Sequence, residues 1–133
     1  MRIMLDTNII ISAGIFGGRQ LSELTLIIAD KFSLVLSSAI VEELRIVVRK
    51  KFPDKMPVIE RFLKRLSYEM AYTPTSFDYD IYPIIRDKKD YPILASAIIA
   101  DVDILITGDK DFSPVDIERP EIMSITAFAH KYL

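Results

Sequence analysis

At 133 residues, half of them hydrophobic and about a quarter charged, the chain suits one packed domain spanning 1–133 rather than a disordered segment. It contains no cysteine, which excludes disulfides, thiolate metal sites and cysteine nucleophiles. The net charge of −2 hides an asymmetry: residues 45–65 carry eight Lys/Arg against Asp54 and Glu60, whereas residues 66–133 carry six against twelve Asp/Glu.

In chain order, Arg2–Leu5 reads as a strand buried on both faces. Residues 7–16 read as a loop or short helix closed by Gly17-Gly18, and 20–30 as a helix with Leu21, Leu24, Ile27 and Ile28 at core spacing. Phe32–Leu36 is a second strand, after which Ser37 or Ser38 caps a helix reaching about Lys50. Pro53 breaks that helix, and Pro57 sits in the first turn of another that ends near Leu66. Glu69–Tyr72 is a weaker strand, followed by a loop to Pro83 and a helix from about Asp90 to Ala100. Asp103–Thr107 is a strong strand, Ile122–Ser124 a short one, and Thr126 is expected to cap a terminal helix. Strands alternating with helices predict an α/β fold whose parallel sheet is covered on both faces. Ligands collect at the carboxyl ends of such sheets, near the point where strand order reverses.

Asp6 and Asp109 fall just past predicted strand ends. Glu43 lies at the edge of the apolar stripe Ile40, Val41, Leu44, Val47 and Val48, whereas Glu42 points about 100° further round, toward solvent. Asp90 shares a face with Ile93, Leu94 and Ala97, and also suits a helix N-cap. Each acid has a bland explanation alone: an Asx turn, a boundary glutamate, a cap, a Gly-Asp turn. Together in one crevice they repel, by roughly 4 kcal/mol per pair about 4 Å apart at an effective dielectric near 20. A cation is then needed, and Asp6→Asn or Asp90→Asn is expected to raise metal-free stability. The chain's four glycines form no phosphate-binding loop, and its single histidine, His130, with no cysteine, excludes an ordinary zinc site. Oxygen-only ligands favour Mg²⁺ or Mn²⁺.

Leu5-Asp6-Thr7-Asn8, the stretch from Ser38 to Glu43-Leu44, Asp90 opening a helix, and Ile106-Thr107-Gly108-Asp109 together resemble, in that order, the PIN domain. The similarity is greatest to small stand-alone members that serve as toxins of toxin–antitoxin pairs. The resemblance implies a three-layer α/β/α fold with a central five-stranded parallel sheet. It implies that Asp6, Glu43, Asp90 and Asp109 form an acidic metal-binding and catalytic quartet, with Asp111 as an auxiliary and Thr7, Asn8 and Thr107 in support. It further implies Mg²⁺- or Mn²⁺-dependent cleavage of single-stranded RNA, a small antitoxin partner and homodimers. The basic run adds Arg45, Arg49 and Lys50 as candidate RNA contacts, against the plainer reading of solvated helix faces. No apolar run approaches the roughly 20 residues of a membrane span, and the short apolar N-terminus lacks a signal-peptide cleavage site, so the cytoplasm is the expected location. The alternative is a PIN-fold module that binds RNA or protein with little or no cleavage. A phosphatase of the haloacid-dehalogenase type needs a second Asp where Asn8 stands, and a receiver domain needs paired acids near the first strand.

Overall fold

The computed structural model describes residues 1–73, 91–108 and 119–133. Five parallel strands form one sheet in the order β3-β2-β1-β4-β5. They are β1 (Arg2–Leu5), β2 (Ser33–Ser37), β3 (Tyr68–Ala71), β4 (Ile104–Ile106) and β5 (Glu121–Met123). The helices are α1 (Thr7–Ile11), α2 (Gly18–Lys31), α3 (Ser38–Lys51), α4 (Met56–Arg65), α5 (Tyr91–Ile99) and α6 (Ile125–Tyr132). A π-helical turn, Ser12–Phe16, joins α1 to α2.

Side chains on a strand alternate between faces, so consecutive buried residues mean that both faces are covered. That holds for Ile3, Met4 and Leu5 of β1, for Leu34–Ser37 of β2 and for all of β4. The sheet is therefore the middle of three layers. Helices supply the outer ones: Ile40, Val41, Leu44 and Val48 from α3, Ile59, Phe62 and Leu63 from α4, Ile93, Leu94 and Ala97 from α5, while α2 buries Ile28 but leaves Ile27, expected at core spacing, 41% exposed. Phe128 of α6 is fully buried, edge-on to Phe32 at 5.6 Å between ring centres. Gly14 lets the π-helical turn approach α4, since a Cβ there would lie 2.7 Å from Ile59 Cδ1 and 3.0 Å from Phe62 Cδ2.

Several boundaries depart from the sequence reading: β3 and β5 lie one residue earlier than expected and β4 is shorter by one residue at each end. The terminal helix is capped by Ser124, whose Oγ accepts from the Ala127 N–H at 3.1 Å, two residues before Thr126. The second strand begins at Ser33 and runs on to Ser37, because β2 pairs with β3 through Ser37↔Ala71. Residues 7–16, expected as a loop or short helix, are helical but change pitch, as the Gly17 N–H bonds the Ser12 carbonyl five residues back.

The register positions the site. Arg2 pairs with Ser33 and Ile3 with Ile104, so β1, β2 and β4 run out at one level. The residues there are Asp6, Ser37 and Thr107. Chain order reverses at β1, which has β2 on one side and β4 on the other.

Candidate functional site

Asp6 follows β1 with an extended backbone, φ −78° and ψ 170°, and its N–H still bonds the Ile106 carbonyl of β4 at 3.1 Å. Its carboxylate is the N-cap of α1: Oδ1 accepts the Ile9 N–H at 3.0 Å. The Thr107 hydroxyl donates to Oδ2. Both residues are buried, at 3% and 5% exposure, which rules out water as the main solvent for that charge. Burying a carboxylate is costly unless donors or a cation surround it. The Ile9 N–H and the Thr107 hydroxyl fix the plane of the group.

Glu43 comes from the second turn of α3, and the Thr7 hydroxyl donates to its Oε2 at 2.8 Å. Thr7 is buried and adjacent to Asp6, so this bond draws Glu43 to the crevice at the end of β1. Glu42 and Glu43 are both exposed, but Glu42 faces a different groove, of about 400 Å³, with Arg45, Ile46, Arg49 and Met70. The bond from Thr7, rather than burial, is what separates the two glutamates. α3 itself starts where β2 stops: Ser37 Oγ, fully buried, accepts the Ile40 N–H at 3.1 Å.

Asp6 and Glu43 are the members of the quartet among the described residues; Asp90, Asp109 and Asp111 lie outside them. α5 begins at Tyr91, immediately after Asp90 in sequence, and β4 ends three residues before Asp109. Asn8 is exposed, and among the described residues Ile9 and Thr107, not Asn8, orient Asp6. Thr7 supports Glu43. The donor set suits a hard divalent cation: carboxylate and hydroxyl oxygens line the crevice, the chain has no thiol, and His130 sits exposed on α6.

On the basic side, Arg45 is held by Glu60, Nε to Oε1 at 2.8 Å and Nη2 to Oε2 at 3.3 Å. That pairing raises the Arg45 pKa and lowers that of Glu60. Arg49 and Lys50 are exposed. A hydroxyl cluster of Ser38, Thr73 and Ser96 beside the crevice escapes sequence reasoning, since its members are far apart and each has an ordinary local role.

A family model described as PIN domain matches residues 2–111. The fold is similar to a solved structure of VapBC2 from Rickettsia felis bound to a DNA fragment from their promoter. The TM-score is 0.68 at 20% identity, over 93% of this chain and 98% of that one. No match was found among curated proteins. Among the described residues, no helix is long and apolar enough to cross a membrane.

Proposed function

The chain belongs to the PIN domain family, and from that premise we propose that it is a metal-dependent endoribonuclease that cuts single-stranded RNA. The observation that carries this reading is the buried carboxylate of Asp6 at the reversal point of a parallel sheet, oriented by Thr107 and the α1 N-terminus. Asp6, Glu43, Asp90 and Asp109 are proposed to hold Mg²⁺ or Mn²⁺, with Asp111 beside them. Such an ion, when bound, supplies a Lewis acid for phosphodiester hydrolysis and offsets charge on the departing oxygen.

The chain's own residues do the positioning. Thr107 and the Ile9 N–H leave Asp6 one orientation, and Thr7 does the same for Glu43. Rotamers locked this way need no reordering when the cation arrives, which favours tight and selective binding. The apolar residues beneath, Leu5, Ile40 and Ile106, exclude water from below and weaken dielectric screening of the carboxylates. Arg49 and Lys50, and Arg45 once released from Glu60, are proposed to meet the RNA backbone.

By its likeness to stand-alone toxin members, we assign the chain to the cytoplasm as a single domain, working as a homodimer held in check by a small antitoxin protein. The test is cleavage of an unstructured RNA with Mn²⁺, by the wild type and by Asp6→Asn. The wild type is expected to cut, and the variant to lose at least about a hundredfold in rate. Cleavage that survives the substitution contradicts the assignment of the site. RNA binding without cleavage by the wild type would instead favour a binding module.

A further inference from the structure

Beside the carboxylates, three hydroxyl side chains connect the start of α3, the end of β3 and the body of α5. The Thr73 N–H donates to Ser38 Oγ at 2.8 Å, and the Ala39 N–H donates to Thr73 Oγ1 at 3.0 Å. This reciprocal pair serves one of the backbone N–H groups that a helix start leaves without an internal partner. Thr73 Oγ1 and Ser96 Oγ lie 2.9 Å apart, and the Ser96 hydroxyl is 2.7 Å from the Pro92 carbonyl.

Each hydroxyl has one proton. A carbonyl can only accept, so the Ser96 proton goes to Pro92. Thr73 then donates to Ser96 while accepting from Ala39. The result is a directed chain from the Ala39 N–H through Thr73 and Ser96 to the first turn of α5.

Ser96 is 1% exposed in the otherwise apolar stretch 93–99 of α5. Its proton needs only the Pro92 carbonyl of its own helix, so the bond to Thr73 goes beyond what burial of the hydroxyl demands. What it adds is a fixed relation between two helices. α3 presents Glu43 one turn after Ala39, and Asp90 immediately precedes α5 in sequence. In the metal site proposed above, Glu43 and Asp90 would repel, and that repulsion would press α3 and α5 apart unless something tied them.

We propose that Thr73 and Ser96 are positioning residues, whose hydroxyl chain sets the spacing of α3 against α5 and with it the geometry of the metal site. This rests on the metal-site reading above. Val at position 73 keeps the shape of Thr but leaves the Ala39 N–H and the Ser96 oxygen unserved.

The experiment is Mn²⁺ titration of the full chain, followed by electron paramagnetic resonance well below the melting temperature. Thr73→Val and Ser96→Ala are each expected to weaken Mn²⁺ binding about tenfold, and Thr73→Ser to restore it. Thr25→Val is the control: it removes another fully buried hydroxyl, which donates to the Leu21 carbonyl on α2, and should keep wild-type affinity. If Thr73→Val does not fold, Ser96→Ala carries the test. Wild-type affinity in the relay variants, or an equal loss in Thr25→Val, overturns the positioning role alone. A wild-type chain that takes up no Mn²⁺ overturns the metal site and this inference together.

Discussion

Asp6 has two duties that pull in opposite directions. As the N-cap of α1 it stabilises the fold, and as a buried charge in the proposed acidic site it would strain it. Two substitutions separate these effects. Asp6→Ala removes the cap and the Thr107 bond and should cost about 1–2 kcal/mol. Asp6→Asn keeps an oxygen for the Ile9 N–H, lets the Thr107 hydroxyl turn to accept, and removes the charge. Its metal-free melting temperature is therefore expected to rise, and calorimetry without divalent ions measures both. An equal or lower value for Asp6→Asn speaks against a shared acidic site. For Glu43, Thr7→Val should weaken Mn²⁺ binding roughly tenfold, because the carboxylate loses the donor that orients it. The placement of Asp6 at a strand end and of Glu43 on the inner edge of its helix was legible in the sequence. Which hydroxyl serves which carboxylate was not, because Thr7 reaches 36 residues along the chain and Thr107 reaches back 101.

Elements were legible where apolar spacing was strong. β1 and β4 are short apolar runs ending in polar residues, and α3 carries its buried stripe at 40, 41, 44 and 48. Ends were less so, because a run such as Ser37-Ser38 offers two caps of equal chemistry. Tertiary contacts decide between them: Ser37 caps α3, and Ser38 is taken by Thr73. Thr126 lost the capping position to Ser124 for a related reason, since β5 ends at Met123 and leaves Ser124 extended, at φ −75° and ψ 162°. Ser37→Ala is expected to destabilise the protein by about 1 kcal/mol. Chemical denaturation should show this as a lower midpoint with an unchanged slope. A changed slope would mean that α3 unfolds separately.

Across the whole molecule, charge is divided between the two ends of the sheet. At the amino end, Asp103 accepts the Arg2 N–H at 2.7 Å and pairs with Arg119 at 2.7 Å, while the Arg2 guanidinium bonds Glu69 at 2.8 Å. The Arg2 N–H, then Arg119, hold the Asp103 carboxyl below its usual range, and Arg2 does so for Glu69. Depressed carboxyl pKa values give stability that is present above the unfolded value of about 4 and lost as pH falls through the folded one. Asp103→Asn should therefore lower the melting temperature by about 4 °C near neutrality, an effect held small by solvent screening. The gap to wild type should close as pH falls below the unfolded value and the wild-type carboxyl protonates. At the carboxyl end the proposed quartet would set acid against acid, and there the account stands or falls. Its most direct test is Mn²⁺ binding by the wild type, Asp6→Asn, Glu43→Gln, Asp90→Asn and Asp109→Asn, measured by calorimetry. One shared site predicts that every substitution weakens binding by at least about tenfold; wild-type affinity in any one of them contradicts it.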